Sequence, residues 1–336
     1  MSRKLITIST IMTLMSTSVI ADVPNVAADI APIHSLVSRV MDGVGVPKLI
    51  VQSGASPHGY RLRPSEAKAL QDADHVFWMG EELTPWLDSA IGTLASKASV
   101  TTLLDQQGVI LHDFREGALF EAHDHSAHGD DDHDDHDDHD DHDDHKDHDD
   151  HDDYDDHDDH DDHDDHGSHD PHAWLSPENA KLWLNIIASK LSVSDPENAA
   201  TYFMNAAAGQ AEIEAMIAEV KATLKPVQGG KFVVFHDAYQ YFENDFDFYA
   251  SGAISLGDSS DPSPARIEKV QKRIRDEGIQ CVLAEPQFKK GLVATVMEGS
   301  DATASVIDPL GAELETGPKL YTRLIKNMAK TLRNCL

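Results

Sequence analysis

Short apolar runs alternate with longer amphipathic stretches over most of the chain. Alternation of this kind predicts an α/β architecture, in which buried strands and the helices that cover them follow one another. Five runs of three to five mostly apolar residues have the length and composition of buried strands. They cover residues 48–52, 75–79, 231–235, 280–284 and 305–307.

Two amphipathic stretches carry the local signals of ordinary crossover helices. One begins after Ser176, whose side chain can cap the helix, and has Pro177 in its first turn. The other covers residues 262–277, and Gly278 is positioned to end it. Each is predicted to turn one apolar face inward.

The stretch over residues 195–225 predicts a much longer helix. It begins with Asp195 and Pro196 and then continues to residue 225 without another proline. At 1.5 Å per residue such a helix is roughly 45 Å long, which is enough to span two lobes. The alternative interpretation is a pair of shorter helices broken near Gly209.

The first 21 residues have the pattern of a cleaved secretory signal. Arg3 and Lys4 precede an apolar stretch over residues 5–20, and the chain then reaches Ala21. No later segment approaches the roughly 20 consecutive apolar residues that a membrane helix needs. We therefore expect a periplasmic protein that is not inserted in a membrane. The cut site has no cysteine that could be lipidated.

The chain contains two cysteines, Cys281 and Cys335. An exported chain enters an oxidising compartment, so the two thiols can form a disulfide. The alternative is two buried free thiols, and the residues alone do not exclude it.

One segment differs sharply from the rest in composition. From His123 to His169 the chain is almost a repeat of Asp-Asp-His with hardly any apolar side chain, which predicts a disordered loop inserted into a folded domain. Residues 121–170 carry −26 of the formal net charge of −33, so the rest carries only −7. That balance argues against nucleic acid as a partner. The remaining chain, about 265 residues, suits one large domain or two lobes.

The histidines of this segment predict an auxiliary metal-binding loop. An acidic spacer has no need of histidine at every third position, and imidazole is the common ligand for zinc, copper and nickel. We expect several sites of weak to moderate affinity and poor selectivity, at which protons compete as the pH falls. The loop set holds 15 of the 21 histidines: His123, His125, His128, His133, His136, His139, His142, His145, His148, His151, His157, His160, His163, His166 and His169.

Three histidines outside the loop are candidate metal ligands: His58, His172 and His236. His58 and His236 follow predicted strands, and α/β folds bind ligands beyond the carboxyl ends of their strands. His172 lies shortly before a capped helix and can reach the same cleft. Three neutral imidazoles suit zinc. Taken singly, each is also compatible with a structural histidine.

Two carboxylates are further candidates at strand ends. Asp308 follows an apolar run and is either a fourth ligand, an acceptor of a hydrogen bond from a ligand, or a turn residue before Pro309. Glu285 is a weaker candidate for an outer-shell carboxylate. His34 and His112, like His75, lack supporting context and are treated as structural or surface residues.

Several motifs together resemble the zinc-specific periplasmic solute-binding proteins of ABC transporters, of the ZnuA type in the cluster A-I family of metal binders. The resemblance covers nearly the whole mature chain, with the motifs in the expected order around the loop. The motifs are PHGY at 57–60, LRPS at 62–65, DPHAWLSP at 170–177, FHDAYQYF at 235–242 and AEPQF at 284–288.

The resemblance implies two α/β lobes joined by a single long backbone helix, with a metal site in the cleft between the lobes. The boundaries expected on this basis are a signal peptide over 1–21, an amino-terminal lobe over 22–194, a linking helix over 195–225 and a carboxy-terminal lobe over 226–336. The disordered loop, 121–170, belongs to the first lobe.

The resemblance also implies the ligands. His58 and His172 come from the first lobe and His236 from the second, and histidine at the last position points to zinc rather than manganese. Some family members have a glutamate ligand directly before the first histidine, where this chain has Pro57. The fourth ligand is therefore water, Asp308 or a loop histidine.

The resemblance further pairs Cys281 with Cys335. It predicts a monomeric protein that binds Zn²⁺ with high affinity and delivers it to the membrane permease and ATPase of an ABC zinc importer, with the loop as collector or sensor.

A zinc hydrolase is the main rival, but the chain has no His-Glu-x-x-His motif and its nearest base, Asp237, is expected to point away from His236. A metal buffer or metal-dependent adhesin is the other alternative. We expect no enzyme.

Overall fold

The computed structural model describes residues 23–115, 120, 169–255, 257, 262–288 and 290–336. The predicted signal peptide and all of the predicted loop except His169 and Asp170 lie outside the described residues. Within the described ranges, no helix combines the length and apolar character needed to cross a membrane.

The first lobe is built on a parallel sheet of four strands in the order β2-β1-β3-β4. Helices connect the strands and a further helix follows them. In chain order the elements are β1 Val26–Ala28, α1 Ala31–Val40, β2 Lys48–Leu49, α2 Pro64–Gln71, β3 His75–Trp78, α3 Pro85–Leu94, β4 Ser99–Thr102, a 3-10 turn Ala173–Leu175 and α4 Pro177–Ser194.

The second lobe repeats this plan with the order β6-β5-β7-β8, again all parallel. Helix α5, Ala199–Leu224, and a 3-10 turn, Lys225–Val227, lead into it. Its elements are β5 Phe232–His236, α6 Gln240–Phe246, β6 Ala253–Ser255, α7 Pro264–Glu277, β7 Cys281–Ala284, α8 Lys290–Met297, β8 Thr303–Val306 and α9 Leu320–Cys335.

The predicted fold class, two α/β lobes with a long helix between them, is confirmed. Parallel sheets are covered on both faces, which explains why the inner strands are apolar runs: every residue of β3 and β5 is buried. The sequence did not predict β1, β4 or β6, which are short or partly polar. The predicted strand over 48–52 is shortened to Lys48–Leu49, although Ile50 and Val51 still donate backbone hydrogen bonds to the chain at the end of β1. The predicted strand over 305–307 is shifted to Thr303–Val306.

Local signals located the helix ends well. The Ser176 side chain accepts a hydrogen bond from the Asn179 N–H at 3.3 Å, and α4 begins at Pro177. Gly278 ends α7 in the left-handed conformation, with φ of 64°. Helix α5 begins four residues later than predicted, because Asp195 holds a separate turn by accepting hydrogen bonds from Asn198 and Tyr202.

Helix α5 is a single helix of 26 residues that continues through Gly209, so the alternative of two helices broken there is wrong. A Cβ at Gly209 would lie 2.9 Å from a methyl carbon of Leu184 on α4 and 3.1 Å from Cγ of Arg39 on α1. Gly209 is therefore the point at which three helices approach closely. The buried residues of α5 join one apolar core that includes residues of both sheets.

The carboxy-terminal helix α9 also ties the lobes together. The Tyr321 N–H donates to Ser35 Oγ at 3.0 Å, and the Tyr321 hydroxyl donates to the Trp174 carbonyl at 3.0 Å. A disulfide joins Cys281, the first residue of β7, to Cys335, the last residue of α9. The pairing that the resemblance implied is confirmed. The carboxy-terminal helix and the second sheet are thereby fixed against the first lobe.

Two glycine substitutions test the packing at Gly209. Gly92 of α3 has nothing within 4 Å of a Cβ placed there, so Gly92→Ala should raise the free energy of unfolding by about 0.5–1 kcal/mol. Gly209→Ala should lower it by about 1 kcal/mol, because the methyl group forces Leu184 out of its packed position. Urea denaturation measures both. Equal stabilisation by the two changes would contradict the close approach.

Candidate metal centre

The three candidate histidines meet in one small cavity between the sheets. His58 lies between β2 and α2, His172 directly precedes the 3-10 turn, and His236 is the last residue of β5. The cavity has a volume of about 10 Å³, which is room for one ion or water. Its other lining residues are Pro57, Trp174, Gln287, Pro309 and Leu310.

The imidazoles of His172 and His236 face each other at ligand spacing. Their Nε2 atoms are 3.4 Å apart. Two nitrogens bound to one tetrahedral zinc at about 2.0–2.1 Å are also separated by about 3.4 Å. The His58 ring lies farther out, with its centroid 5.8 Å from that of His172.

A buried carboxylate lies behind each of these two rings. His172 Nδ1 is 2.6 Å from Asp170 Oδ1, and His236 Nδ1 is 2.5 Å from Glu285 Oε1. An ionised carboxylate only accepts, so each Nδ1 carries the proton and each neutral ring presents a lone pair on Nε2. Two such lone pairs facing each other are unfavourable unless a cation or a proton lies between them.

Glu285 and Asp170 are themselves held in place. The Gln287 side-chain amide donates to Glu285 Oε2 at 2.8 Å, and Asp170 Oδ1 also accepts the His172 N–H at 3.0 Å. Sequence reasoning named Glu285 only as a weak candidate and missed Asp170 and Gln287. The sequence feature that could have identified Asp170 is its position two residues before His172, where a short side chain can accept a hydrogen bond from the His172 backbone N–H.

Aromatic rings enclose the pair of imidazoles. The Trp174 centroid is 5.1 Å from that of His172, and the Phe288 centroid is 5.4 Å from that of His236. Phe288 stacks in turn on Phe235 at 4.1 Å. These walls keep bulk water away and strengthen electrostatic interactions in the cavity.

Asp308 occupies a different position from the histidines. Its carboxylate accepts the backbone N–H groups of Leu310, Gly311 and Ala312 at 3.0, 2.8 and 2.5 Å. It does not line the cavity that holds the three histidines. The geometry therefore gives Asp308 the turn-forming role that its Asp-Pro sequence allows.

Asp237, the base nearest to His236 in sequence, is also engaged. The Arg115 guanidinium donates to it through Nε at 3.0 and 3.1 Å. Burial raises the pKa of Asp237, and the bonds from Arg115 oppose that shift. Burial likewise raises the pKa of Glu243, the second partner of Arg115, to about 7. Neither carboxylate is placed as a free general base.

The remaining histidines bond elsewhere. His34 Nε2 lies 3.2 Å from the Pro47 carbonyl, His75 Nε2 lies 2.7 Å from Ser194 Oγ, and His112 Nε2 lies 3.1 Å from the Asn244 amide. His169 is the one member of the loop set among the described residues, and its Nδ1 is 2.8 Å from Asp113 Oδ1.

Across the described part of the chain, no group of three or more His, Cys, Asp or Glu side chains is arranged so that it could hold a metal ion as it stands. The His172–His236 pair has the spacing of two ligands of one ion. A three-nitrogen site therefore requires His58 to approach that pair. The donor set itself, imidazoles with carboxylates behind them, fits zinc chemistry.

A family model described as "Zinc-uptake complex component A periplasmic", ZnuA, matches residues 26–335. The chain belongs to the ZnuA family. The high-affinity zinc uptake system protein ZnuA of Brucella abortus (strain 2308) is 50% identical over 311 residues, covering 93% of this chain and 91% of that protein. ZnuA of Paracoccus denitrificans (strain Pd 1222) is 46% identical over 317 residues, covering 94% and 93%.

Solved structures agree in fold. A crystal structure of ZnuA has a TM-score of 0.69 at 20% identity and covers 94% of this chain and 99% of that one. A zinc-bound deletion mutant of ZnuA has the same TM-score and identity, with coverages of 94% and 98%. ZnuA proteins are substrate-binding components of zinc transport and not enzymes, as the sequence predicted.

The tautomers of three histidines are a direct test of this geometry. In the metal-free protein, long-range ¹⁵N–¹H NMR at neutral pH should find His172 and His236 protonated at Nδ1, because Asp170 and Glu285 accept there. His34 is the matched control and should be protonated at Nε2, which faces a carbonyl. An Nε2–H form at both His172 and His236 would contradict the arrangement.

Proposed function

We propose that this protein captures Zn²⁺ in the cavity between its lobes and delivers it to the membrane permease of an ABC zinc importer, which works with its ATPase. The single observation that carries the proposal is the pair of Nε2 atoms from His172 and His236, 3.4 Å apart and each backed by a buried carboxylate. Membership of the ZnuA family supports zinc as the cargo and the periplasm as the compartment. Cleavage of the signal peptide, residues 1–21, and a monomeric state belong to this proposal.

The proposed ligands are His58, His172 and His236, with water in the fourth position. Water is favoured over Asp308 because the carboxylate of Asp308 already accepts three backbone N–H groups. Pro57 has no ligating group. Nitrogen-rich, four-coordinate sites of this kind suit zinc better than manganese.

The proposed boundaries explain how the site works. His58 and His172 belong to the lobe over 22–194 and His236 to the lobe over 226–336, with the helix over 195–225 between them. A site that draws ligands from both lobes is complete only when the lobes present them together. Zinc then stabilises that arrangement by binding it more tightly than any other.

The His/Asp-rich segment is proposed as an auxiliary collector or sensor of zinc. Its carboxy-terminal end supports this role: His169 forms a β-bridge with Asp113, and Asp170, the last residue of the segment, bonds His172. Metal bound at His169 would therefore lie three residues along the chain from a proposed ligand. Its other histidines, such as His123 and His166, lie outside the described residues.

Zinc titration on matched variants tests the ligand set. With residues 123–169 deleted, one tight site should remain, because its ligands lie outside the loop, and changing His58, His172 and His236 to Ala should abolish it. Competition with a chelator of known affinity measures both. If tight binding disappears with the loop and survives the histidine changes, the protein is a metal buffer and the cavity is not its transport site.

The carboxylate behind His236 offers a second test. Glu285→Gln should weaken zinc binding about 10- to 100-fold, because the amide cannot accept from both His236 and Gln287 as the carboxylate does. Glu212→Gln is the matched control, since that glutamate is exposed and bonds Arg39. Unchanged affinity in Glu285→Gln would remove the carboxylate from the proposed centre.

A further inference from the structure

Arg115 bridges the two lobes directly beside the metal cavity. It lies in the segment that follows β4 of the first lobe, and its guanidinium binds two carboxylates of the second. Nε is 3.0 and 3.1 Å from the two carboxylate oxygens of Asp237, and Nη2 donates a further hydrogen bond to the same carboxylate. Nη1 is 2.6 Å from Glu243 Oε2. One side chain therefore binds both the first residue after β5 and a residue of α6.

This ion triad is largely buried. The side chains of Arg115, Asp237 and Glu243 are 18%, 7% and 1% exposed. Such forked bonds fix orientation as well as distance, because the planar guanidinium matches a carboxylate edge. Removal of the arginine would leave two carboxylates close together in a poorly solvated site, and at least one of them would have to move or take up a proton.

The turn that Arg115 holds carries a proposed zinc ligand. Asp237 is the residue directly after His236, so a shift of the backbone at Asp237 reaches His236 through one peptide unit. On the other side of the cavity, Asp170 bonds His172 and accepts the Tyr241 hydroxyl through its carbonyl, at 2.7 Å. The same α6 segment thus contacts both halves of the centre.

Arg115 also lies shortly before the inserted segment, residues 121–170. Its guanidinium carbon is 3.6 Å from the centre of the Phe120 ring, and Asp113, two residues earlier, pairs with His169. The chain before the inserted segment thus bonds Asp237, the residue after His236, through Arg115, and Asp170, the last residue of the segment, bonds His172.

We propose that Arg115 is a positioning residue of the metal centre: by fixing the turn after His236 against the first lobe, it keeps the ligands of the two lobes together and slows the release of zinc. The inference rests on the proposed ligand set. It concerns a residue that touches no ligand directly and acts through Asp237 and Glu243.

The test is the zinc dissociation rate of full-length protein loaded with one equivalent of zinc and mixed with excess chelator, below the unfolding temperature of every variant. Arg115→Ala should release zinc at least about tenfold faster. Arg115→Lys should also release it faster, because a lysine keeps the charge but cannot form the fork. Arg115→Gln combined with Glu243→Gln removes one charge of each sign, so it leaves one buried carboxylate instead of two without a cation and should still release zinc faster.

Arg39→Ala is the matched control. Arg39 makes the same forked bonds, at 3.1 Å each, to Glu212 on α5, away from the cavity. Arg39→Ala should alter stability without changing the rate of zinc release. If Arg115 had a merely structural role, Arg115→Ala and Arg39→Ala would have the same effect on that rate. Wild-type release from both Arg115→Ala and the Arg115/Glu243 double variant would overturn the proposal.

The histidine variants separate this failure from that of the proposed function. If changing His58, His172 and His236 to Ala leaves slow release intact, the ligand set is wrong whatever Arg115 does. If those changes abolish slow release but the Arg115 variants release zinc as the wild type does, only the positioning role is wrong.

Discussion

Two imidazole nitrogens, one from each lobe, are held 3.4 Å apart with their lone pairs toward each other, and much of the surrounding structure serves to maintain that approach. In water two neutral imidazoles would separate or share a proton. Here the carboxylates of Asp170 and Glu285 fix the proton of each ring on the far nitrogen. Positive charge between the rings stabilises this arrangement, which is the electrostatic property of a cation site.

The fold supplies the rigidity that this approach demands. His236 ends a fully buried strand, and the chain before α4 places His172 opposite it. The connections that cross between the lobes include the unbroken α5, the return of α9 onto the first lobe, and the ion triad of Arg115. A common apolar core lies among them, so the lobes cannot shift freely without disturbing packed side chains.

The acidic segment concentrates the negative charge of the chain. Residues 121–170 carry −26 of the net charge of −33, and Asp170, the last of them, bonds His172. A concentration of negative charge attracts cations and raises their local concentration. In the proposed function, capture at limiting metal combines this long-range attraction with a short-range, geometrically selective pair of imidazoles.

Features that depend on a few neighbouring residues or on family motifs could be predicted from the sequence: the α/β alternation, the cap at Ser176, the end of α7 at Gly278, and the candidate histidine ligands. Capping and periodicity are encoded within one or two helical turns, so they can be recognised locally. The position of Gly209 inside one helix required the packed structure, because a glycine's effect there depends on Leu184 of another helix. The packed structure likewise revealed the bonds behind the ligands and the bridge from Arg115 to Asp237, 122 residues away, since such contacts exist only once both sheets have packed.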